Sequence, residues 1–264
     1  MGDGLMSKTL EQRFGLQGKT ALVTGASSGL GAHFARVLAL AGASVAVAAR
    51  RNDKLVNLVQ EIEDAGGRAF AVTLDVTAGH RATAAIASIE NTLGPIDILV
   101  NNAGVSGSRH SLKEDETNWD FVMDTNLKGA WRVAQAVAKR SVELSQPCSI
   151  INIASILGLR VGIGLSTYSV SKAAVVQLTK ALASELARKC VRVNAICPGY
   201  FATEMNSDYL LSSSGQEYLA STTAGRMGEL DELTGPLLLL ASEAGSFMNG
   251  TAIPVDGGHL VGSL

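Results

Sequence analysis

The sequence predicts an α/β fold in which one doubly wound parallel sheet of about seven strands carries helices on both faces. Short apolar or β-branched segments alternate with longer segments of helical period along the chain, which is the pattern of strand–helix units. Segments such as Ala21–Thr24 and Ser149–Ile153 are mostly apolar or β-branched, as parallel strands buried on both faces require. No repeat or linker interrupts the pattern, so we expect a single domain over residues 18–264 behind an N-terminal extension at residues 1–17.

The individual elements can be placed from the same pattern. The expected strands are Thr20–Thr24, Ser44–Ala49, Ala69–Leu74, Ile98–Asn101, Ser149–Ile153, Arg192–Ile196 and Ala252–Val255. The expected helices lie between them, at residues 30–41, 53–65, 80–92, 118–140, 168–188 and 229–242. Ligands of a doubly wound sheet bind beyond the carboxyl ends of its strands, so the residues that follow each strand are the candidate site residues.

Composition narrows the class of protein. The chain has 264 residues, of which 47% are hydrophobic and 17% charged, so it can bury a large core without a disulfide or metal. A net charge of -2 argues against nucleic acid as the main partner, because phosphate binding needs a basic surface. The cysteines form no CxxC pair, and no His, Cys, Asp or Glu cluster has metal-ligand spacing. We therefore predict reduced structural cysteines and no metal.

The sequence offers no membrane or secretory segment. Residues 1–17 mix charged and polar side chains without the apolar run of a signal peptide. The longest apolar run, Leu237–Ala241, is too short to span a bilayer. We therefore expect a soluble, cytoplasmic protein that binds neither nucleic acid nor membrane.

The segment Thr24–Gly31 carries three glycines directly after the first expected strand and at the start of a helix. Glycine lets the backbone approach a phosphate closely, and a helix start offers unpaired N–H groups and a positive dipole end. The spacing Gly-x-x-x-Gly-x-Gly therefore indicates a pyrophosphate cradle, and the missing P-loop lysine argues against nucleoside triphosphate hydrolysis. The alternative is a tight strand–helix connection that binds nothing. The residues assigned to the cradle are Gly25, Ser27, Ser28, Gly29, Leu30 and Gly31.

Tyr168 and Lys172 lie four residues apart at the start of an expected helix, which places them on one face. An ammonium near a phenol favours the phenolate and lowers the pKa of the phenol, so that it can exchange a proton near neutral pH. Ser155 follows the strand Ser149–Ile153, where its hydroxyl could bind a substrate carbonyl oxygen. On spacing alone, however, Tyr168 and Lys172 could be ordinary surface neighbours.

Several motifs occur together in the order typical of one enzyme family. They are Thr24–Gly31, Asn101-Asn102-Ala103-Gly104, Asn126, Ser155, Tyr168-Ser-Val-Ser-Lys172 and Pro198-Gly199. From about Gly18 to Asp256 the chain resembles the short-chain dehydrogenase/reductase family. The resemblance implies a Rossmann-type sheet and the transfer of a hydride between a nicotinamide cofactor and a carbonyl or alcohol carbon.

The resemblance also implies a catalytic set of four residues. Tyr168 would be the general acid in reduction and the base in oxidation, and Lys172 would lower its pKa and hold the nicotinamide ribose. Ser155 would orient and polarise the carbonyl, and Asn126 would position a water in a proton relay through Lys172. For Asn126 an alternative stays open, because its side chain could simply satisfy buried backbone groups.

Three further segments are assigned to the cofactor by the resemblance. Asn102, Ala103 and Gly104 would lie beside the adenosine ribose, and Asp75-Val76 would meet the adenine. Pro198-Gly199 and Thr203 would bind the nicotinamide amide, although Thr203 could instead cap a helix in a loop.

The end of the second strand bears on the choice between NADP and NAD. NAD-dependent enzymes place an acid there to bind the ribose hydroxyls, whereas the matching residue here is Ala49, followed by Arg50 and Arg51. A guanidinium can bind a 2′-phosphate bidentately, and Ser28 faces the same region. We therefore expect NADPH to be preferred, chiefly through Arg50 with Arg51 secondary, and NAD is the alternative cofactor. Both arginines could instead be solvated residues at a helix start.

The resemblance also bears on the substrate. The resemblance points to a carbonyl reductase acting on a small ketone or secondary alcohol in an apolar pocket, with residues 212–215 as a mobile lid tip. Rival interpretations are an NAD-linked alcohol dehydrogenase, a catalytically silent cofactor sensor and a nucleotide-sugar epimerase or dehydratase. The complete catalytic set argues against the sensor, and the short C-terminal region argues against the epimerase. The expected apolar lining is Leu157, Leu159, Val161, Ile163, Tyr200, Met205 and Tyr209.

The sequence also suggests self-association. Two apolar stretches, Trp131–Ala138 and Leu237–Ala241, fall on helices that the expected fold places near its surface. Exposed apolar patches mark association surfaces. Together with the family resemblance, they lead us to expect a homotetramer, or at least a dimer.

Overall fold

The computed structural model of the protein describes residues 8–79, 81–202, 212–220 and 222–261. Its centre is a seven-stranded sheet in which every neighbouring pair of strands is parallel. The strands are β1 (Thr20–Thr24), β2 (Ser44–Ala49), β3 (Arg68–Thr73), β4 (Ile98–Asn101), β5 (Cys148–Ile153), β6 (Val191–Pro198) and β7 (Ala252–Val255). The predicted doubly wound α/β fold is confirmed, and each predicted strand is present.

The order of the strands in the sheet is β3-β2-β1-β4-β5-β6-β7. The chain starts at the centre, builds one half outward to β3, and returns to the centre with β4, which pairs with β1 on its other side. The strand order therefore reverses between β1 and β4, where the connections leave in opposite directions and open a crevice at the carboxyl ends.

Helices cover both faces of the sheet. They are α1 (Leu10–Phe14), α2 (Gly29–Leu40), α3 (Asn52–Asp64), α4 (Arg81–Leu93), α5 (Glu116–Met123), α6 (Ala130–Glu143), α7 (Ser166–Leu186), α8 (Ser213–Ala220) and α9 (Thr234–Ala241). A π-helical turn at Asp124–Gly129 joins α5 to α6, so the helix predicted at residues 118–140 is present but contains a π-helical segment.

Residues 212–215, predicted as a mobile lid tip, lie at the start of a helix, and their role as a lid stays a prediction. A run of serines followed by glycine is typical of a loop, but here α8 begins at Ser213. The Ser212 hydroxyl accepts a hydrogen bond from the Gly215 backbone N–H at 3.1 Å, which is the contact of a helix N-cap. The serines therefore start a helix.

Among the described residues, two large hydrophobic clusters and a small third one hold the helices to the sheet. On one face α2, α3 and α9 contribute side chains such as Phe34, Leu55 and Leu237 to a common cluster. On the other face α4, α6 and α7 contribute side chains such as Ile86 and Val133 to a second cluster. Strand residues between the two clusters are fully buried, which explains why the strand segments lack alternating polarity.

These cores correct the basis on which self-association was expected. In Leu237–Ala241, the side chains of Leu237, Leu240 and Ala241 are buried in the core. In Trp131–Ala138, Val133 and Val137 are likewise buried, whereas Trp131 is exposed. Both stretches are apolar because they pack on the sheet, so neither forms a surface patch as a whole.

The N-terminal segment is joined to this body. Leu16 is buried in the first core, and its backbone N–H donates to the Ala41 oxygen at 2.8 Å.

Over the residues that the structure describes, no helix is long and apolar enough to cross a membrane. Over the same residues, no group of three or more His, Cys, Asp or Glu side chains is placed to hold a metal ion.

Candidate active site

A cleft of about 710 Å³ opens at the carboxyl ends of the central strands. Most residues that the sequence assigned to the site line this one cleft, although they come from every part of the chain. The predicted residues in its wall are Gly25, Ser27, Ser28, Gly29, Leu30, Arg50, Arg51, Asp75, Val76, Asn102, Ala103, Gly104, Ser155, Tyr168, Lys172, Pro198 and Gly199. Gly31 and Asn126 lie behind the wall, and Thr203 lies outside the described residues.

The glycine turn forms the floor of the cleft between β1 and α2. Gly25 has a φ of 66°, a left-handed conformation that suits glycine. The α2 helix begins at Gly29, and its N-cap residue Ser28 makes no side-chain capping hydrogen bond. The first N–H groups of a 12-residue helix therefore face the cleft without a side-chain cap, as an anion-binding helix start requires.

Gly31 has a packing role. A Cβ atom at Gly31 would lie 2.3 Å from the Gly25 oxygen and 2.5 Å from the Asn102 side-chain nitrogen. The glycine thus lets α2 approach the turn and β4 closely. We assigned Gly31 to the cofactor, but in the structure it shapes the turn without lining the cleft.

Asn102 ties the glycine turn to the end of β4. Its side-chain Nδ2 donates to the backbone oxygens of Thr24 and Gly25 at 3.1 and 3.2 Å. In return, the Thr24 hydroxyl oxygen accepts the backbone N–H groups of Asn102 and Ala103, both at 3.1 Å. These four hydrogen bonds hold the two strands at the point where the strand order reverses.

The two arginines after β2 lie differently. The Arg51 guanidinium donates through Nη2 to the hydroxyls of Ser27 and Ser28 at 2.9 and 3.0 Å, which places it over the glycine turn. Arg50 lies close enough to Asp75 for its charge to lower the pKa of that carboxyl. Burial raises the pKa of Asp75, but the hydrogen bonds from Thr77 and the charge of Arg50 together outweigh burial. The pKa of Asp75 is therefore below its usual value. Both arginines line the cleft, and only Arg51 contacts the serines of the glycine turn, so the order of their importance for the cofactor stays a prediction.

Ser155, Tyr168 and Lys172 meet on the opposite wall. The Ser155 hydroxyl oxygen accepts the backbone N–H of Leu157 at 3.1 Å, which leaves its own proton to be donated. Ser155 is close enough to Tyr168 to lower the pKa of its phenol. The Lys172 Nζ lies 5.7 Å from the centre of the Tyr168 ring and donates to the Ile153 backbone oxygen at 2.8 Å. The spacing of Tyr168 and Lys172 thus places both in one site.

Burial controls the ionisation of this group. It raises the pKa of Tyr168, and the hydrogen bond to Ser155 lowers it by less. Burial also lowers the pKa of Lys172 to about 8. We expected the ammonium to lower the pKa of the phenol. In the structure desolvation dominates, because the charged forms of both side chains lose water.

Asn126 lies in the π-helical turn and is buried at 1% exposure. Its Oδ1 accepts the backbone N–H of Val105 at 2.8 Å, and its Nδ2 donates to the Val105 oxygen at 2.9 Å and to the Ser171 hydroxyl at 3.0 Å. Both of its N–H groups are therefore occupied by protein. The alternative that this side chain satisfies buried backbone groups agrees with these contacts.

The cleft also contains residues that we did not single out from the sequence. Those at strand ends, such as Leu74 and Ala154, follow from the rule that placed the others. Phe121 on α5 and Thr125 in the π-helical turn could not be found by this rule, because their position depends on how the helix crosses the sheet. The additional lining residues are Leu74, Thr77, Val105, Phe121, Thr125, Ile153 and Ala154.

The expected apolar substrate lining is wrong for the loop after β5. Val161 and Ile163 are 82% and 97% exposed, and Leu159 is also exposed. Of the predicted lining residues Leu157 is buried, yet it does not line the cleft. The predicted residues Met205 and Tyr209 lie outside the described part of the chain. An alternating pattern of apolar residues in this loop was therefore a poor indicator of a pocket.

This arrangement is that of a dinucleotide-dependent oxidoreductase, and comparison with known proteins agrees. A profile described as short chain dehydrogenase matches residues 19–212. Gluconate 5-dehydrogenase of Gluconobacter oxydans is 38% identical over 94% of this chain and 97% of its own. 2-Dehydro-3-deoxy-D-gluconate 5-dehydrogenase of Dickeya dadantii is 39% identical over 94% of this chain and 97% of its own.

A solved structure extends this agreement to the fold. The gluconate 5-dehydrogenase of Burkholderia cenocepacia, crystallised with NADP and tartrate, has a TM-score of 0.92 and 36% identity, covering 97% of this chain and all of the other. The chain belongs to the short-chain dehydrogenase family. It is an NAD(P)-dependent oxidoreductase.

Proposed function

We propose that this protein transfers a hydride between NADP(H) and a ketone or secondary alcohol carbon of a sugar acid. The observation that carries the proposal is the single cleft that joins an uncapped helix start and two arginines to Ser155, Tyr168 and Lys172. The helix start and the arginines suit a phosphorylated dinucleotide. Ser155, Tyr168 and Lys172 suit proton exchange with a carbonyl oxygen.

The substrate class rests on the relatives. Both curated relatives described above are named for gluconate or a deoxygluconate, and the Burkholderia structure holds tartrate, another hydroxy acid. The exposed apolar residues of the loop after β5 also remove the main argument for an apolar ketone. A polyhydroxylated, anionic substrate therefore replaces the apolar carbonyl compound that the sequence led us to expect.

The residues present fit a nicotinamide dinucleotide. We assign the pyrophosphate to Gly25, Ser27, Ser28, Gly29 and Leu30, and the adenosine end to Asp75, Val76, Asn102, Ala103 and Gly104. We assign the nicotinamide end to Tyr168, Lys172, Pro198 and Gly199, and Thr203 stays a prediction from the sequence. When bound, the reduced cofactor supplies the hydride that the carbonyl carbon receives.

The proton that completes the reduction comes from Tyr168 in this proposal. Ser155 donates a hydrogen bond to the substrate oxygen and orients it beside the phenol. Burial keeps the Tyr168 phenol protonated, so it is ready to act as a general acid. As the carbonyl carbon gains a hydride, the oxygen takes the phenolic proton, and the products are an alcohol and a phenolate.

Lys172 then returns the proton. Its pKa of about 8 makes the ammonium a stronger acid than an ordinary lysine, so it can reprotonate the Tyr168 phenolate and regain a proton from solvent. In oxidation each of these transfers runs in the opposite direction.

The cofactor is NADP(H) rather than NAD(H) in this proposal. Neither Ala49 at the end of β2 nor the two residues after it is acidic, and the Arg51 guanidinium is already held over the glycine turn by two serines. A carboxylate there would repel a 2′-phosphate, whereas a guanidinium binds it. A cytoplasmic location and a homotetrameric assembly stay predictions.

A substrate panel tests the proposal. Nicotinamide absorbance is followed with 5-ketogluconate, with an uncharged ketone of the same carbon number and with a 3-oxoacyl thioester, each with NADPH and NADH. We expect the highest kcat/KM for 5-ketogluconate with NADPH. A higher kcat/KM for the uncharged ketone or the thioester would contradict the sugar-acid substrate, and equal use of both cofactors would contradict the NADP assignment.

A further inference from the structure

Ser171 links the π-helical turn to the catalytic helix. It lies in α7 between Tyr168 and Lys172 and is completely buried. Its hydroxyl donates to the backbone oxygen of Tyr168 at 2.7 Å and accepts the side-chain N–H of Asn126 at 3.0 Å. Since a hydroxyl has a single proton, these two contacts fix its rotation.

Asn126 connects Ser171 to the loop after β4. Its carboxamide makes two hydrogen bonds to the backbone of Val105 in addition to the one with Ser171. A Cβ atom at Gly104 would lie 3.2 Å from the Asn126 oxygen and 3.4 Å from the Lys172 nitrogen. Three segments that line the cleft therefore meet at one buried amide and one buried hydroxyl.

The geometry points to Ser171 as a positioning residue for the proton transfer. We propose that its hydroxyl holds the first turns of α7 against the π-helical turn, so that the Tyr168 phenol stays within reach of Ser155. This inference rests on the proposed function of Tyr168. Ser171 touches neither substrate nor cofactor in this role, and it acts through the backbone of Tyr168.

The same helix offers a matched control. Ser169 lies two residues away and is also buried, yet its hydroxyl has no hydrogen-bond partner among the described residues. Ser171→Ala and Ser169→Ala remove the same atom from the same helix, but the former breaks two hydrogen bonds and leaves the Asn126 N–H unsatisfied. A difference between the variants therefore measures those contacts rather than the loss of a buried hydroxyl.

The first measurement compares turnover of 5-ketogluconate by the two variants with NADPH. We expect Ser171→Ala to lower kcat about ten-fold, which corresponds to about 1.4 kcal/mol of barrier, and to change the KM for NADPH by less than about two-fold. Ser169→Ala should match the wild-type protein. Ser171→Cys, whose thiol is a weaker hydrogen-bonding group, should fall between them and serves if the alanine variant does not fold.

The second measurement needs no turnover. Titration of tyrosinate absorbance, with Tyr168→Phe subtracted, reports the ionisation of Tyr168 itself. The Ser155 hydrogen bond lowers the pKa of this phenol, and Lys172 is the titratable side chain beside its ring. A Tyr168 phenol that loses Ser155 while it stays buried should therefore titrate at higher pH in Ser171→Ala than in Ser169→Ala.

The two measurements separate this inference from the proposed substrate. If 5-ketogluconate is not reduced by the wild-type protein, the proposed substrate fails while the tyrosinate titration still decides the role of Ser171. Ser171→Ala and Ser171→Cys variants whose Tyr168 titrates as in Ser169→Ala would overturn the inference. A loss of kcat accompanied by an equal loss of NADPH affinity would also overturn it, because that result indicates general structural damage.

Discussion

Lys172 shows how burial sets the chemistry of a single residue. Its side chain is 5% exposed, and burial lowers its pKa from 10.5 to about 8. Between these values the unfolded chain holds a proton that the folded chain has released. The contribution of Lys172 to the free energy of unfolding therefore rises with pH from about 8 to 10.5 and is lowest below 8.

Lys172→Met should for this reason be more stable than the wild-type protein at neutral pH. The free energy of unfolding should increase by about 2 kcal/mol. Each unit by which burial lowers the pKa of Lys172 corresponds to about 1.4 kcal/mol. The lost hydrogen bond to Ile153 offsets about 1 kcal/mol of this increase. The gain should shrink as the pH approaches 10. Urea denaturation over a pH series measures it, and a difference independent of pH would refute the argument.

Tyr168→Phe isolates the phenolic proton. The ring remains and only the hydroxyl is lost, so cofactor affinity should change little while turnover falls by about 10²–10⁴-fold, the usual range for general acid–base catalysis. Steady-state rates and a titration of NADPH fluorescence measure the two effects. A variant that retains most of the wild-type rate would exclude Tyr168 as the proton donor.

The cofactor preference should reside in Arg51 more than in Arg50. Arg51→Ala removes the guanidinium that lies on Ser27 and Ser28, and a charge-assisted hydrogen bond to a phosphate is worth about 1.5–3 kcal/mol, or about ten- to a hundred-fold in affinity. Arg50→Ala is the matched control and should cost less. Comparing kcat/KM for NADPH and NADH tests this, and a larger loss in Arg50→Ala would restore our original order.

At the scale of an element, the glycine turn depends on close contact between two strands. A Cβ atom at Gly25 would lie 2.8 Å from the Ala103 Cα, whereas Gly66, which also has a positive φ, has nothing within 4 Å. Both substitutions to alanine carry the left-handed penalty of roughly 1–2 kcal/mol. Gly25→Ala should in addition displace the turn, because its Cβ would collide with Ala103. We expect this displacement to weaken NADPH binding by at least about ten-fold, which corresponds to about 1.4 kcal/mol of binding free energy.

Equilibrium titration of both glycine variants with NADPH separates the two effects. Gly66→Ala should lose some stability and keep the affinity of the wild-type protein. If Gly25→Ala binds NADPH as tightly as Gly66→Ala does, the contact with Ala103 does not shape the binding turn.

The elements themselves were largely predictable, because buried parallel strands and the residues after them carry strong local patterns. The π-helical turn at Asp124–Gly129 was not, since its extra residue is stabilised by contacts of Asn126 with Val105 and Ser171, which are distant in sequence. The pKa of Tyr168 was also not predictable, because spacing reveals the neighbouring charge of Lys172 but not the loss of water around both groups.

At the scale of the whole molecule, one helical face carries a shallow apolar depression. Trp131 is 39% exposed and borders a shallow depression of about 380 Å³ that Met123, Leu127 and Leu178 also line. The face thus combines the π-helical turn with α6 and α7. Its apolar character is typical of a surface that associates.

Trp131→Arg should therefore shift the protein to a smaller assembly than the dimer or tetramer that we expect for the wild type. Leu40→Arg is the control, because Leu40 is an exposed apolar residue on α2, and α2 covers the opposite face of the sheet. Light scattering at working concentration measures the mass. A monomeric wild-type protein, or equal masses of both variants, would contradict this surface.

The four hydrogen bonds among Thr24, Gly25, Asn102 and Ala103 have a consequence for biosynthesis. A ribosome releases the first three strands well before residue 103 emerges, so the nascent chain holds its glycine turn without the partner that shapes it. Loop closure over nearly eighty residues must come first, and such long-range contacts form slowly. We therefore expect the half of the protein that is made first to bind nucleotide only after the start of the other half has been translated.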